Sequence, residues 1–437
     1  MTKNEPKYKI DFNNSKDSLI IEVLKKITLR IPNGIAWKGG DSPLVEGLVN
    51  LIIGNEIELV NEFAKFRYSS NYLRGAYFRA LSILKEDPNP SYEKLKSMLK
   101  KAKKKTRLKT FKYLFPISLE FRLNARKQYR INRAKLKFLT LEQLRKTSFY
   151  TKTLDEHLNE HYSIKSITKQ VPSFILITAR SRDAMFGAEE SNDQVSLFLA
   201  LFNLGIHLFR GVRHYPDVTS PTSGILVPKW FYCLDNRLHI TPFVSEGPPF
   251  DKAIVLREDQ YRNFLNIYNR FSKLNQNQPL YPRLVKALLQ YQKAITAPLS
   301  ESFLAYWTCL EILYLKDKNT SHEQLISRIL TFFPYVSKTN KLFEIHLRHI
   351  KHKRNQYIHE AKGAFTHEDI DLLKEIVERT IVFYMEPQEI RTETELFYLL
   401  EGGREDHEIK SKIRVLSYLL KERKKIKRRI KERSRRP

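Results

Sequence analysis

The segment KLFEIHLRHIKHKRNQYIHE, residues 341–360, decides how the C-terminal third of the chain is interpreted. At about 100° per residue, Leu347, Ile350, Arg354 and Ile358 fall on one stripe of a helix. The pattern predicts an amphipathic helix that carries an arginine within its apolar stripe. A cation in that position needs a partner, because burying an unpaired charge is costly.

A second stripe of the same helix is polar. It consists of Arg348, His352, Asn355 and His359. Asn355 and His359 are one turn apart, so both can act on one ligand. Arg354 and His359 are five residues apart, about 140° around a regular helix. They converge only if Arg354 bends across, or if the helix ends or unwinds near His359.

The segment SESFLAYWTCLEILYL, residues 300–315, supplies the expected partner of the arginine. The apolar stripe of this segment consists of Phe303, Trp307, Leu310 and Tyr314. Glu311 lies within or beside that stripe, where a carboxylate is costly unless it is paired. We therefore predict an ion pair between Glu311 and Arg354.

Amphipathic patterns of helical period continue from about residue 260 to residue 385. Within this part, five helices are predicted at 281–295, 300–315, 321–333, 341–360 and 366–385. Ser300 and Ser321 are expected N-caps, and Thr366 with Asp369 resembles a capping box. Five helices with short connections predict a helical bundle.

The rest of the chain differs in character, and the predicted fold class is mainly α with an α+β middle region. Residues 1–165 are predicted as a helix-rich basic N-terminal region, including a helix over 42–66. Residues 166–260 are predicted as an α+β region, with a strand near 171–179, an apolar helix at 193–209 and two strands around Asp235. Residues 261–386 form the predicted bundle, and residues 387–437 a connector and basic tail.

The composition points to a polyanionic partner. The chain has 437 residues, of which 42% are hydrophobic, and its formal net charge is +29. This excess favours nucleic acid first and an acidic membrane surface second. The membrane is the weaker alternative because neither strongly basic stretch has a pronounced apolar face. Two distant cysteines and the absence of an apolar leader predict a reducing, cytoplasmic location.

The positive charge is concentrated in two stretches. Residues 94–137 contain 17 Lys or Arg and a single acid, and residues 421–437 contain 11 Lys or Arg and two acids. The candidate nucleic-acid-binding residues are Lys103, Lys104, Lys105, Arg107, Arg126, Lys127, Arg130, Lys424, Lys425, Arg428 and Arg429. The first stretch also interleaves Phe111, Tyr113, Phe115, Phe121 and Tyr129 with its cations. These rings are expected to stack on bases, or alternatively to form a core beneath a solvated cationic face.

Two motifs carry a family resemblance: R-N-x-x-x-H, formed by Arg354, Asn355 and His359, and CLEILYL on the second predicted helix. Together they resemble the HEPN superfamily of helical-bundle RNases, in particular the Apea-like HEPN domain. The resemblance covers about residues 280–386. It implies a metal-independent endoribonuclease, often a homodimer with paired motifs, of the kind that serves as a toxin or in antiviral defence. The family also contains members that bind without cutting, so the alternative is a non-catalytic nucleic-acid-binding or scaffold protein.

The residue types suit RNA cleavage by the 2′-hydroxyl. His359 is expected to transfer a proton, Arg354 to stabilise charge on the phosphate, and Asn355 to orient the phosphate or the imidazole. Glu311 and His352 are supporting residues. No cofactor is expected, and His346 with His349 is set aside as a metal site because cations flank the pair. RNA is the expected partner, with a regulatory protein partner also possible.

Overall fold

The computed structural model describes sixteen stretches of the chain and seven positions near the C-terminus. The stretches are 70–85, 87, 91–102, 108–120, 128–132, 134–162, 173–207, 230–234, 240–244, 254–255, 258–274, 280–316, 321–333, 341–360, 365–386 and 393–401. The helix predicted at 42–66 lies outside the described residues.

The N-terminal region begins with two helices, α1 (Ser70–Lys85) and α2 (Tyr92–Ala102), and then becomes a sheet. The strands that follow are β1 (Lys109–Ile117), β2 (Leu119–Glu120), β3 (Gln128–Ile131) and β4 (Ala134–Leu139). The prediction that residues 1–165 are mainly helical is therefore wrong for these four strands. In KTFKYLFPI the apolar residues at 111, 113, 115 and 117 alternate, which is the period of a strand.

Two short helices, α3 (Leu141–Arg145) and α4 (Lys152–Tyr162), lead into β5 (Ser173–Ser181) and the long helix α5 (Ala184–His207). The hairpin β6 (Trp230–Leu234) and β7 (Ile240–Val244) follows, and then the short strand β8 (Ile254–Val255). The predicted strand, apolar helix and strand pair of the middle region are confirmed. The described part of the predicted apolar helix, 193–207, lies in α5, which is almost entirely buried from Val195 onward.

The main sheet has six antiparallel strands in the order β3-β4-β5-β1-β6-β7. Its central pair is β1 with β5, which are in register along all nine residues, from Lys109 opposite Ser181 to Ile117 opposite Ser173. The sheet combines strands from both sides of the boundary predicted at 165/166. A smaller parallel pair joins β2 to β8.

Helices cover both faces of the sheet, and β1 divides its side chains between them. Phe111, Tyr113 and Phe115 point towards α5 and join the large apolar core that continues into the C-terminal helices. Leu114 points the other way, into a smaller core with Leu154 and Leu158 of α4. This alternation follows from the pleat of a strand.

The C-terminal part consists of α6 (Glu258–Ser272), α7 (Leu280–Thr296), α8 (Leu299–Tyr314), α9 (His322–Phe332), α10 (Lys341–Glu360), α11 (His367–Met385) and α12 (Glu393–Leu400). The five predicted helices are thus confirmed as α7 to α11. The capping boxes at Ser321 and Thr366 are present. The N-cap expected at Ser300 is wrong, because α8 starts after Pro298 and has no side-chain cap.

The fold is therefore mainly α with an α+β region. In the described part of the chain, no helix combines the length and the apolar character that crossing a bilayer requires.

Candidate functional site: a shared carboxylate oxygen and a cationic sheet face

Glu311 is the centre of a polar cluster at the surface of the C-terminal helices. Its Oε1 atom accepts hydrogen bonds from Trp307 Nε1 at 2.8 Å and from Arg354 Nη2 at 3.4 Å, and lies 3.0 Å from His322 Nε2. The predicted pair of Glu311 and Arg354 is therefore confirmed. Both side chains are about one-fifth to one-quarter exposed, so the pair is neither fully buried nor freely solvated.

His322 is the member of this cluster that the sequence pattern did not predict. It is the first residue of α9, where the Ser321 and Gln324 capping box fixes the start of the helix. Its ring also meets the Trp307 indole edge to face, with centroids 5.7 Å apart. The start of α9, the Trp307 indole and the Glu311 carboxylate together hold the His322 imidazole close to the Glu311–Arg354 pair. A sequence signal did exist, since His directly follows the N-cap in SHEQ, but nothing local linked it to residue 311.

Arg354 uses two of its five N–H donors in hydrogen bonds to described residues. Its Nη2 donates to Glu311 and its Nη1 donates to Asn355 Oδ1 at 3.3 Å. Its buried Nε–H has no hydrogen-bond partner among the described residues. A guanidinium has five N–H donors in a planar fork, which suits a phosphate group.

The end of α10 that carries Arg354 is fixed by packing and by ion pairs. Leu347 and Ile350 are buried against the other helices. Glu323 of α9 accepts from Arg348 at 2.7 Å and pairs with Lys351. These contacts hold α9 against α10, and so hold His322 near Arg354.

A second carboxylate, Asp369, supports the same helix from α11. It is 2% exposed and accepts from Lys353 Nζ at 2.6 Å and from the Thr366 amide at 2.9 Å. His346 Nε2 lies 3.1 Å from its other oxygen. Desolvation alone would raise the pKa of Asp369, but these hydrogen bonds and the Lys353 charge lower it to about 2.

His359 is not brought to the arginine within one chain. The helix continues regularly to Glu360, so the unwinding that would make the two residues converge does not occur before that residue. Arg354 is also held towards Glu311 rather than across the helix. His359 and His352 are exposed, and neither has a hydrogen-bond or ion-pair partner in the described part of the chain. His359 stays one turn from Asn355, which itself bonds Arg354.

A second candidate surface lies on the sheet, on the side away from α5. Arg130 of β3 pairs with Lys135 of β4, and Thr178 of β5 pairs with Lys112 of β1. The register of Leu136 with Ile177 places Lys135 beside Thr178. These four residues form one row across four strands, with neighbouring strands about 4.8 Å apart.

Further cations flank this row. Lys137 on β4 and Arg180 on β5 are exposed on the same face. Arg130, Lys135, Lys137 and Arg180 make no ion pair with any residue that the structure describes. The sequences of β1, β3, β4 and β5 contain no acidic residue. Like charges directly opposite each other destabilise a sheet, so a row of them fits a surface that neutralises an anion.

The aromatic residues of this region do not stack on bases. Phe111 is 8% exposed, Tyr113 and Phe115 are fully buried, and Tyr129 is 1% exposed. The alternative interpretation, a core beneath a cationic face, is the one that the fold adopts for these four rings. Phe121 lies outside the described residues.

Only two of the predicted nucleic-acid-binding residues fall in the described part of the chain. Arg130 is exposed on an edge strand of the sheet, and Lys424 is exposed and helical. The others lie outside the described residues, namely Lys103, Lys104, Lys105, Arg107, Arg126, Lys127, Lys425, Arg428 and Arg429. Comparison with known proteins finds no matching family model, no matching curated protein and no matching solved structure.

Proposed function

We propose that the C-terminal helices, which resemble the Apea-like HEPN domain, form a metal-independent endoribonuclease. The observation that carries the proposal is the shared oxygen of Glu311. One carboxylate holds both an arginine and an imidazole, and a second imidazole lies one turn beyond Asn355. Cleavage of RNA without a metal needs a cation for the phosphate and groups that transfer protons near neutral pH.

The proposed reaction is a transfer of the phosphoryl group to the neighbouring 2′-oxygen. One imidazole takes the 2′-hydroxyl proton as that oxygen attacks phosphorus. The bond from phosphorus to the 5′-oxygen breaks, and an imidazolium gives its proton to that oxygen. The products are a 2′,3′-cyclic phosphate and a 5′-hydroxyl. Arg354 stabilises the charge that gathers on the phosphate oxygens, and Asn355 orients the phosphate.

His322 and His359 are the two candidates for proton transfer. His322 lies 3.0 Å from the same oxygen that accepts from Arg354, and His359 is solvent-exposed on the stripe of Asn355. The expectation of a homodimer came from the family resemblance and from a motif that supplies only one imidazole for proton transfer. His322 is a second imidazole in the same chain and lies beside Arg354, whereas His359 does not reach Arg354 within one chain. The proposed site therefore keeps two arrangements, one that uses His322 of the same chain and one in which a second chain brings its own His359 to Arg354.

The cationic sheet face extends the proposal to RNA binding. Arg130 and Lys135 lie opposite each other and are exposed, which suits contact with phosphates rather than the reading of bases. Lys112, at the end of the row, is half-buried with its Nζ 5.2 Å from the centre of the Phe149 ring. The proposed partner is therefore single-stranded RNA held by its backbone.

The test uses purified protein and an RNA labelled at its 5′ end, with and without EDTA. We expect the wild-type protein to cleave RNA in EDTA. His359→Ala and His322→Ala should each lose cleavage while their melting temperatures stay within about 2 °C of wild type. His349→Ala should cleave fully. His349 is the matched control because it is exposed on the same helix but outside the polar stripe. Equal cleavage in all three variants would overturn the site.

Two further outcomes separate the remaining alternatives. Binding of RNA without any cleavage would support the non-catalytic nucleic-acid-binding or scaffold protein. Mixing Arg354→Ala with His359→Ala protein tests the homodimer. Recovery of cleavage in the mixture would show that the site forms from both chains, and no recovery together with an active monomer in sedimentation would place it within one chain.

A further inference from the structure

The helix α4 carries three metal-ligand side chains on one turn, far along the chain from the proposed cleavage site. His157, Glu160 and His161 have the spacing H-x-x-E-H. Residues three and four positions apart share one face of a helix, so the three side chains converge. One ring nitrogen of each histidine and one carboxylate oxygen of Glu160 lie within 4.8 Å of one another.

The hydrogen bonds of Tyr232 set the tautomer of His161. The Tyr232 hydroxyl donates to the backbone carbonyl of His157 at 3.3 Å. Its oxygen lies 3.0 Å from His161 Nδ1 and therefore accepts from an Nδ1–H. This leaves His161 Nε2 with a free lone pair, the form of imidazole that binds a metal. Metal-binding histidines are usually oriented in this way by a bond at the other ring nitrogen.

Packing restricts how the rings can move. The His161 ring stacks on the Trp230 indole, with centroids 4.3 Å apart and an interplanar angle of 9°. The His157 and His161 rings are parallel, with an interplanar angle of 2°. Trp230 and Tyr232 both belong to β6, whose place in the sheet is fixed by pairing on both sides. The site thus lies on a helix that packs against a strand paired on both sides, and not on a loop.

The local charge also favours a cation, which is unusual in this chain. The protein has a net charge of +29, yet α4 contains Asp155, Glu156 and Glu160 against the single Lys152. Within the described part of the chain, this is the one group of three His, Cys, Asp or Glu side chains whose ligand atoms lie this close.

We propose that His157, Glu160 and His161 bind a divalent first-row transition metal ion, with Zn²⁺ as the best fit. Two imidazole nitrogens and one carboxylate oxygen are ligands that Zn²⁺ prefers, and water completes the tetrahedron. In a tetrahedral zinc site with bonds of about 2.0–2.1 Å, ligand atoms are roughly 3.3 Å apart. His157 Nδ1 and Glu160 Oε2 are 3.8 Å apart, and all three ligand atoms lie within 4.8 Å, so rotation of the exposed Glu160 and half-buried His157 side chains brings the ligand atoms to bonding distance of one ion.

The metal is structural or regulatory rather than part of the proposed RNA cleavage. It joins α4 to the sheet through His161 and Tyr232, and so stabilises the face opposite α5. Its binding is independent of the proposed cleavage.

The test is titration of the full-length protein with ZnCl₂ after treatment with chelator, followed by calorimetry and by the absorption of Co²⁺ as a spectroscopic substitute. We expect one strong site for each chain and a Co²⁺ spectrum typical of four ligands. Glu160→Gln, His157→Ala and His161→Ala should each weaken that site by about 10–100-fold or more. Glu156→Gln is the matched control, because it removes a neighbouring acid of α4 that is not a proposed ligand, and it should bind as wild type.

Tyr232→Phe is the most specific variant. It keeps the ring in the core and removes only the hydroxyl that orients His161, so it should lower the affinity about tenfold while circular dichroism stays unchanged. Zinc affinity that is equal in wild type, Glu160→Gln and His161→Ala would overturn the proposal. The metal site and the RNA cleavage can fail separately. If wild type and Glu160→Gln both lost cleavage in EDTA, the metal-independent cleavage mechanism would be wrong, and the metal site would still stand.

Discussion

Replacing Glu311 by alanine tests whether this carboxylate holds the candidate site together. The variant removes the ion pair with Arg354 and leaves the Trp307 Nε1–H, in a side chain that is 1% exposed, without its acceptor. An exposed ion pair contributes about 0–1 kcal/mol, and breaking a fully buried pair costs about 3–5 kcal/mol. With both partners about one-fifth to one-quarter exposed, the pair contributes an intermediate value of about 2 kcal/mol.

The unpaired indole adds a further cost of about 1–3 kcal/mol. The loss of unfolding free energy is therefore roughly 3–5 kcal/mol, which lowers the melting temperature by about 6–20 °C in a cooperative unit of 150–250 residues. Cleavage should fall with it, because Arg354 and His322 both lose the group that positions them.

Thermal unfolding followed by circular dichroism measures the effect. Glu301→Ala is the control, since Glu301 is exposed on the same helix and has no partner among the described residues. Glu311→Gln should be intermediate, because it keeps an acceptor oxygen but loses the charge. A Glu311→Ala protein that melts with wild type and with the Glu301→Ala control would refute the reasoning.

Three further predictions concern stability and RNA binding. The folded-state pKa of Asp369, about 2, is below its ordinary value of 3.8. The stabilisation by this carboxylate is therefore present above pH 3.8 and is lost as the pH falls towards 2. Asp369→Asn should remove that part of the acid-unfolding profile, which fluorescence measures. Replacing Arg130 and Lys135 by glutamine should reduce the slope of log affinity for single-stranded RNA against log salt by about 0.7 for each phosphate that is no longer neutralised. Lys273→Gln, the control, should leave the slope as in wild type. An unchanged slope in the Arg130 and Lys135 variant would exclude the sheet face as an RNA-binding surface. Deleting 421–437, a stretch with eleven cations and no histidine, should weaken RNA binding at low salt without changing turnover on a saturating short RNA; a loss of turnover would give the tail a role in catalysis.

The local sequence pattern predicted the C-terminal helices and the strands β5, β6 and β7, but not the strands β1 to β4. The helical period and the caps at Ser321 and Thr366 predicted α7 to α11, because a helix bonds residues four apart and its signal lies within one turn. The strand at 109–117 was not predicted, because its lysines and aromatic residues also match the composition of a nucleic-acid-binding segment. Its alternation of buried and exposed residues was nevertheless present in the sequence.

The sequence by itself determined the helices of the C-terminal part and the pairing of Glu311 with Arg354, since a carboxylate and a guanidinium that are partly buried on two apolar stripes require each other. Only the tertiary structure decided that His322 shares the Glu311 oxygen, that α10 stays helical through His359, and that Arg130, Lys135 and Lys112 form one row. The physical reason is the same in each case. A helix face follows from residues one turn apart, whereas strand register and the crossing of helices bring together residues tens of positions apart, and these depend on the packing of the whole core.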